Sequence, residues 1–138
     1  MMKPQSKCRI ILREDINWVE GKLAVQVGHA SDSIWMDFTV CCTEIRGYNA
    51  VKKPIPSEID KKVDDFTTWM NEGRRKIVLR TKDEQSMHKL FDKVKKAGYH
   101  VRYIYDYAFN HFDEMTCTGF VVYPTRDTIQ SLKRTRLW

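Results

Sequence analysis

The segment EGKLAVQVGHA, residues 20–30, carries the pattern that decides the fold. Apolar residues at i, i+4, i+7 and i+11 predict one buried face of a helix; they are Leu23, Val27, Ala30 and Ile34. One position before each of them stands a polar residue, so a second row lies beside the buried face. That row consists of Lys22, Gln26, His29 and Ser33. The helix therefore presents polar groups along the edge of its buried side.

Composition predicts one globular domain with a basic surface. Hydrophobic residues make up 42% of the 138-residue chain and charged residues 30%, which is typical of a soluble domain. The formal charge of +6 suits an anionic partner such as nucleic acid, although many basic proteins bind none. The N-terminus lacks a secretory pattern and no window is apolar enough to span a membrane, so we expect a cytoplasmic protein.

The four cysteines predict free thiols rather than a metal site or disulfides. They are Cys8, Cys41, Cys42 and Cys117. They form no C-x-x-C pair and have no zinc-like spacing with a pair of histidines. Cys8 and Cys117 lie in apolar, strand-like runs, where a cysteine is more often a small core residue than a nucleophile.

Hydrophobic periodicity predicts the order strand, helix, helix, strand, helix, strand, strand, helix. The predicted strands are residues 8–13, 74–81, 99–106 and 116–124. The predicted helices are residues 20–38, 57–73, 81–98 and a short one within 125–138. Residues 39–56 contain Cys, Gly and Pro and are expected to form a loop or insertion. Thr81 with Glu84 has the form of a capping box, and Ser57 is a plausible N-cap.

This order implies an α/β domain with helices on both faces of a mainly parallel sheet. The third and fourth strands are joined by about ten residues without a helix, so that pair can be antiparallel. Sites in such sheets form at the carboxyl ends of strands, and the first helix begins just after the first strand. We therefore expect Lys22 to lie at the site. Taken singly, Lys22 fits a solvated lysine as well as it fits a site residue. A single His29 on a helix is more often structural than catalytic.

The segment REDINWVEGKLAVQVGHA, residues 13–30, resembles the N-terminal signature of the type II peptidyl-tRNA hydrolases. The matching positions are Arg13, Asp15, Gly21, Lys22, Ala24, Gln26, His29 and Ala30. WMNEGRRKIVLR, residues 69–80, is similar to the family's passage from helix to strand. Asp106 in YIYD falls on the family's catalytic aspartate, and Thr118 and Pro124 fall on a threonine and a proline of its last strand.

The resemblance implies a fold, an activity and roles for single residues. The expected fold is an α/β three-layer sandwich with a four-stranded mixed sheet, one domain over residues 1–138, commonly a homodimer. The expected reaction hydrolyses the ester joining a peptide to the terminal ribose of tRNA, without metal or cofactor. The expected catalytic residues are Lys22, Asp106, Asn110 and Thr118. The expected substrate-binding residues are Gln26, His29, Arg13, Arg74, Arg75 and Lys76.

Two further groups are candidates for contact with tRNA. Phosphate contacts are expected from Lys52, Lys53, Lys133, Arg134 and Arg136. Stacking of the terminal adenine on Tyr103, Tyr105 or Tyr107 is possible, although these alternating tyrosines are more often packed on helices.

The chain departs from the family after its aspartate. The family usually reads Ala-Gly-x-Thr-Gln, whereas this chain reads YAFNH at residues 107–111. Asn110 replaces the threonine and His111 the glutamine. This change favours an alternative hypothesis, a non-catalytic domain of the same fold that binds tRNA, another RNA or a protein. The enzyme is favoured by the retention of Lys22, Gln26, His29, Asp106 and Thr118.

Overall fold

A computed structural model describes residues 3–107 and 114–138, in which strands and helices alternate as predicted. The strands are β1 (Lys7–Arg13), β2 (Arg75–Thr81), β3 (Val101–Asp106), β4 (Thr116–Thr125) and β5 (Arg136–Leu137). The helices are α1 (Lys22–Ala50), α2 (Ser57–Asn71) and α3 (Glu84–Lys96), with a 3-10 turn at Gln130–Leu132. The predicted α/β class is confirmed.

The five strands form one mixed sheet in the order β3-β4-β1-β2-β5. β1 and β2 are parallel, whereas β4 runs antiparallel to both β1 and β3, and β5 runs antiparallel to β2. The third and fourth predicted strands, β3 and β4, are antiparallel, an arrangement that the sequence left open. The expectation of a mainly parallel sheet is wrong, because three of the four pairings in the described sheet are antiparallel. The carboxyl ends of β1, β2 and β3 lie together, at what we call the carboxyl end of the sheet.

The two faces of the sheet carry separate hydrophobic clusters. Alternation along β1 sends Ile10 and Leu12 to the face covered by α1 and α2, and Ile11 to the face covered by α3. Ala30 and Ile34 of the predicted apolar stripe are fully packed against the first cluster. Trp69 of α2 is buried there as well, and its indole NH donates to the carbonyl of Arg75 at 2.7 Å. Helices thus hold both faces, as the sequence predicts.

Helix α1 begins close to its predicted start, at Lys22, and ends later than predicted, at Ala50. Gly21 caps it with φ of 81°, a left-handed conformation that glycine adopts without strain. The predicted loop at 39–56 is wrong over most of its length, because α1 continues to Ala50. The hydroxyls of Thr39 and Thr43 donate back to carbonyls one turn earlier, which accommodates these weak helix formers. Only residues 51–56 connect α1 to α2.

The C-terminal segment adds a strand rather than the predicted helix. Arg136 and Leu137 pair with Arg80 and Leu79 of β2, so the sheet has five strands instead of the expected four. The backbone of β2 would otherwise be unpaired on that side, and this pairing satisfies it.

Two predicted details of the helices also differ. The N-cap of α3 is Asp83, whose carboxylate accepts from the amide of Ser86 at 2.8 Å, while Thr81 remains in β2. On α2 the N-cap is Pro56, and Ser57 is the first helical residue instead of the predicted cap. Local patterns place a helix end or face only to within a residue or two.

A bulge in β4 redirects one side chain that the alternation of the strand would send elsewhere. Ile104 pairs with Gly119, but Tyr105 pairs with Cys117, so Thr118 is an extra residue opposite β3. Gly119 lies against β1, where a Cβ atom would stand 2.1 Å from the carbonyl oxygen of Ile11. Glycine is required here because of this close approach, not because of its backbone angles.

Replacing Gly119 by alanine is expected to lower the free energy of unfolding by about 1–3 kcal/mol, because β4 must move away from β1. Gly28→Ala is the matched control, since no atom lies within 4 Å of a Cβ atom there, in the middle of α1. This second change is expected to stabilise the protein by about 0.5–1 kcal/mol. Urea unfolding of both variants measures the difference, and equal stability of Gly119→Ala and wild type would contradict the close approach.

Candidate active site

Lys22 and Asp106 form an ion pair at the carboxyl end of the sheet. The Lys22 Nζ lies 2.9 Å from Asp106 Oδ2, and the two side chains are only 14% and 5% exposed. Gly21 sets the start of α1, and β3 ends at Asp106, so the two elements deliver these groups to one place. The predicted approach of the two charges is confirmed.

Gln26 joins this ion pair to β4. Its amide nitrogen donates to Asp106 Oδ2 at 2.8 Å, and its amide oxygen accepts from the Thr118 hydroxyl at 2.7 Å. Gln26 and Thr118 are both fully buried. The bulge in β4 is what turns Thr118 toward α1 and makes this second bond possible.

The electrostatics of this cluster favour a fixed carboxylate. Oδ2 of Asp106 receives both the Lys22 ammonium and the Gln26 amide, and hydrogen bonds to an ionised group are shorter and stronger than neutral ones. A carboxylate this buried would be costly without a cation and a donor beside it. The arrangement therefore holds a negative charge and a positive charge side by side, next to solvent.

His29 reaches the edge of the same cluster, whereas Ser33 does not. The His29 Nε2 lies 3.9 Å from Asp106 Oδ2, beyond hydrogen-bond distance, and its ring is 43% exposed. Ser33 instead donates its hydroxyl to the carbonyl of His29 within α1. Three members of the predicted polar row, Lys22, Gln26 and His29, thus meet at Asp106.

Comparison with known proteins identifies the family of this chain. The family model of the peptidyl-tRNA hydrolase PTH2 matches residues 6–134. The chain belongs to this family. It is 22% identical to a peptidyl-tRNA hydrolase of Methanocaldococcus jannaschii over 121 residues, 88% of each chain. It is 30% identical over 115 residues to that of Staphylothermus marinus, covering 83% of this chain and 78% of the relative.

Arg13 of this PTH2 family member makes three side-chain hydrogen bonds within the chain. Its guanidinium donates twice to the carboxylate of Asp15, at 3.0 and 2.9 Å, and once to the carbonyl of Cys117 at 3.0 Å. The hydrogen bonds to Asp15 raise the pKa of Arg13 above its usual value. The Trp18 indole NH donates to the carbonyl of Arg13 at 2.9 Å. Arg13 therefore ties the loop before α1 to β1 and β4.

The predicted tRNA-binding residues Arg74, Arg75 and Lys76 lie at the opposite end of the sheet. They precede or begin β2, whose seven residues place them about 20 Å from its carboxyl end. Lys76 covers the ring of Trp69 there, 5.2 Å from its centroid. The structure does not bring these three residues to Asp106. Other predicted cations, Lys52 and Lys53, follow the far end of α1.

Three basic residues lie at the carboxyl end instead, and two of them, Arg80 and Lys82, were not among the predicted contacts. Arg80 is near the end of β2, Lys82 follows that strand, and Arg136 pairs with Arg80 across β5. Their position at the end of a predicted strand was the available signal for Arg80 and Lys82. Arg136 was a candidate contact, but nothing in the predicted C-terminal helix placed it here.

Among the described residues, the two cysteines of the strands offer no thiolate nucleophile. Burial raises the pKa of the Cys117 thiol to about 11 and that of Cys8 to about 12, so both remain neutral. Among residues 3–107 and 114–138, no group of three or more His, Cys, Asp or Glu side chains is arranged to hold a metal. Asn110 and His111 lie outside the described residues.

The three tyrosines have different surroundings. Tyr103 stacks on Phe91 with a centroid distance of 3.9 Å, and burial raises its pKa to about 12. Its predicted packing on a helix is confirmed. Tyr105 and Tyr107 are exposed, at 45% and 70%. These two rings, unlike Tyr103, are accessible to a ligand.

The Thr118–Gln26–Asp106 chain predicts strong coupling between its members. Thr118→Val leaves the Gln26 oxygen without its donor, and Gln26→Leu removes the amide from both neighbours. Each single change is expected to cost about 1–3 kcal/mol, because a buried polar group loses its partner. A double-mutant cycle in urea should give a coupling energy above about 0.5 kcal/mol. Additive effects would mean that the two side chains do not form the described bond.

Proposed function

We propose that this chain hydrolyses the ester bond of peptidyl-tRNA, releasing peptide and tRNA. The observation that carries the proposal is the buried Asp106 carboxylate held against Lys22 and Gln26 at the carboxyl end of the sheet. Family membership and the names of the relatives support the same reaction. Ester hydrolysis needs an activated water and a cation near the developing oxyanion. Asp106 supplies the base, and Lys22 supplies the positive charge.

In the proposed reaction Asp106 orients a water and accepts its proton as the oxygen attacks the ester carbonyl carbon. The Lys22 ammonium, 2.9 Å from the carboxylate, stabilises the negative charge on the tetrahedral intermediate. The intermediate collapses by breaking the bond to the ribose oxygen, which takes the proton held by Asp106 and leaves as the tRNA hydroxyl. The peptide leaves as a carboxylic acid.

Thr118 and Gln26 are proposed to position the base rather than to touch the substrate. Thr118 is fully buried and its hydroxyl donates a hydrogen bond to the Gln26 amide oxygen. The Gln26 amide nitrogen in turn donates a hydrogen bond to Asp106. His29, half exposed beside Asp106, is proposed to contact the substrate. From the sequence, Asn110 is still proposed to donate a hydrogen bond where the family has a threonine.

The phosphates nearest the ester are proposed to meet the basic residues at the carboxyl end of the sheet. Lys82 is exposed there, and Arg80 and Arg136 lie beside it. Arg74, Arg75 and Lys76 are then proposed to contact only parts of the tRNA remote from the ester. About 20 Å separates them from the carboxyl end of the sheet.

The alternative, a non-catalytic domain that binds RNA or a protein, is favoured by one observation. The sequence YAFNH replaces the family's Ala-Gly-x-Thr-Gln beside Asp106, and Tyr107 is 70% exposed.

We also propose that residues 1–138 act as one domain, in the cytoplasm, where translation takes place. A homodimer is proposed from the family resemblance, and the exposed Met36 and Val40 of α1 offer apolar surface for it. No helix within the described residues could cross a membrane.

Single-turnover release of peptide from peptidyl-tRNA tests the enzyme. Asp106→Asn and Lys22→Ala are expected to lower the rate by roughly a hundredfold or more, because each removes a charge from the reacting centre. Asn110→Ala is expected to lower it by roughly ten- to a hundredfold, and Asn110→Thr to preserve it. Lys61→Ala, which breaks an exposed Lys–Asp pair on α2, is the matched control and should leave the rate unchanged. A wild-type rate equal to that of Asp106→Asn would support the binding domain.

The salt dependence of tRNA binding tests the proposed phosphate contacts. Binding is expected to weaken as salt rises, because phosphate contacts release counterions. Lys82→Gln should reduce the slope of log K against log salt by about 1, the effect of one lost contact. Arg75→Gln, at the opposite end of the sheet, is the control for a cation remote from the ester. A larger loss of slope in Arg75→Gln than in Lys82→Gln would reverse the proposed orientation of the tRNA.

A further inference from the structure

Two tryptophans form an aromatic pair near the carboxyl end of the sheet. Trp18 and Trp138 meet edge to face, with a centroid distance of 6.5 Å and an angle of 83°. The Trp18 indole NH donates to the carbonyl of Arg13, and the backbone NH of Trp138 donates to the carbonyl of Val78 at 3.0 Å. Hydrogen bonds to main-chain carbonyls therefore hold the Trp18 ring and the Trp138 backbone, while Trp138 remains 42% exposed.

Two arginines beside this pair share a single acid. The Arg80 Nε lies 3.7 Å from one carboxylate oxygen of Glu14, and the Arg136 Nη2 lies 3.4 Å from the other. Within the described residues the Arg80 Nε is buried and has no hydrogen-bond partner. Two cations against one anion leave this surface positive. We call Trp18, Trp138, Arg80 and Arg136 the rim patch.

The rim patch lies on the same face of the sheet as the proposed active site. Arg80 has the same strand parity as Val78, which packs toward α1 and α2, and Arg136 lies directly across from it. Trp18 stands in the loop that leads into α1, four residues before Lys22. β2 is three strand positions from β3 and β5 is four, so Arg80 lies about 14 Å and Arg136 about 19 Å from Asp106 across the sheet.

We infer that the rim patch binds the single-stranded nucleotides that precede the terminal adenosine of the tRNA. The inference rests on the proposed function and names the part of the substrate that this surface holds. Bases of any sequence stack on indole rings, and arginines bind the phosphates between them. The net positive charge favours a nucleic-acid strand over the peptide of the substrate. A few nucleotides bridge the distance from the patch to an ester bound at Asp106.

Two substrates separate this role from a general defect. One is peptidyl-tRNA, and the other is the peptidyl ester of adenosine, which lacks the preceding nucleotides. Trp138→Ala is expected to lower kcat/KM for peptidyl-tRNA by roughly tenfold, the size of one lost stacking contact, and to leave the adenosine ester unchanged. Trp138→Phe should restore most of the loss, because phenylalanine also offers a ring for stacking. Trp35→Ala is the control, a partly exposed tryptophan in edge-to-face contact with Phe66 elsewhere.

A binding measurement tests the patch without hydrolysis. Wild type should bind deacylated tRNA with an intact 3′ end roughly tenfold more tightly than tRNA from which the last nucleotides have been removed. Trp138→Ala and Arg136→Gln should each diminish this difference, and Trp35→Ala should keep it.

The outcomes distinguish the two proposals. Equal losses of kcat/KM on both substrates, or no loss on either, would overturn the rim patch as a nucleotide site while leaving hydrolysis intact. A loss confined to the adenosine ester would assign the patch to the peptide and would also overturn it. If wild type hydrolyses neither substrate, the proposed reaction fails. The tRNA-binding measurement then tests the rim patch by itself, and a preference for the intact 3′ end that does not depend on Trp138 would overturn it.

Discussion

The buried amide of Gln26 is the interaction on which the candidate site depends. It must donate toward a carboxylate on β3 and accept from a hydroxyl on β4, and among neutral side chains an amide presents both kinds of group from one rigid plane. Because all three partners are buried, water cannot replace a lost bond without opening the core. The orientation of Asp106, and hence its position against Lys22, follows from a contact between one helix and two strands.

Sequence reasoning placed most of this site because helix and strand periods are regular. A spacing of three to four residues put Lys22, Gln26 and His29 on one side of α1, and the end of a predicted strand put Asp106 near them. Thr118 was found only through the family resemblance. Simple alternation from Phe120, which packs under α3, would turn Thr118 toward that same face. The bulge that reverses it depends on the pairing of β4 with β3, which no local pattern reports.

Features set by distant contacts escaped prediction for the same reason. Residues 39–50 contain helix-weakening residues, yet they continue α1, and the C-terminal segment becomes a strand because β2 has backbone groups to pair. Charge alone does not show which end of the sheet a cation reaches. Arg74 and Arg75 are a prominent basic run, but the direction of β2 places them at the end of the sheet away from Asp106. A linear list of cations contains no information about which end of a strand faces the ligand.

The position of β4 between β3 and β1 has a consequence for how the chain folds. In the described sheet β3 pairs only with β4, and β4 in turn pairs with β1, more than a hundred positions earlier in the sequence. A growing chain can form β1, α1, α2 and β2 first, but β3 has no place until residues 116–125 have been synthesised. Such distant pairings slow folding. Asp106 therefore reaches Lys22 only when the chain is nearly complete, and nascent forms that lack β4 have no assembled site.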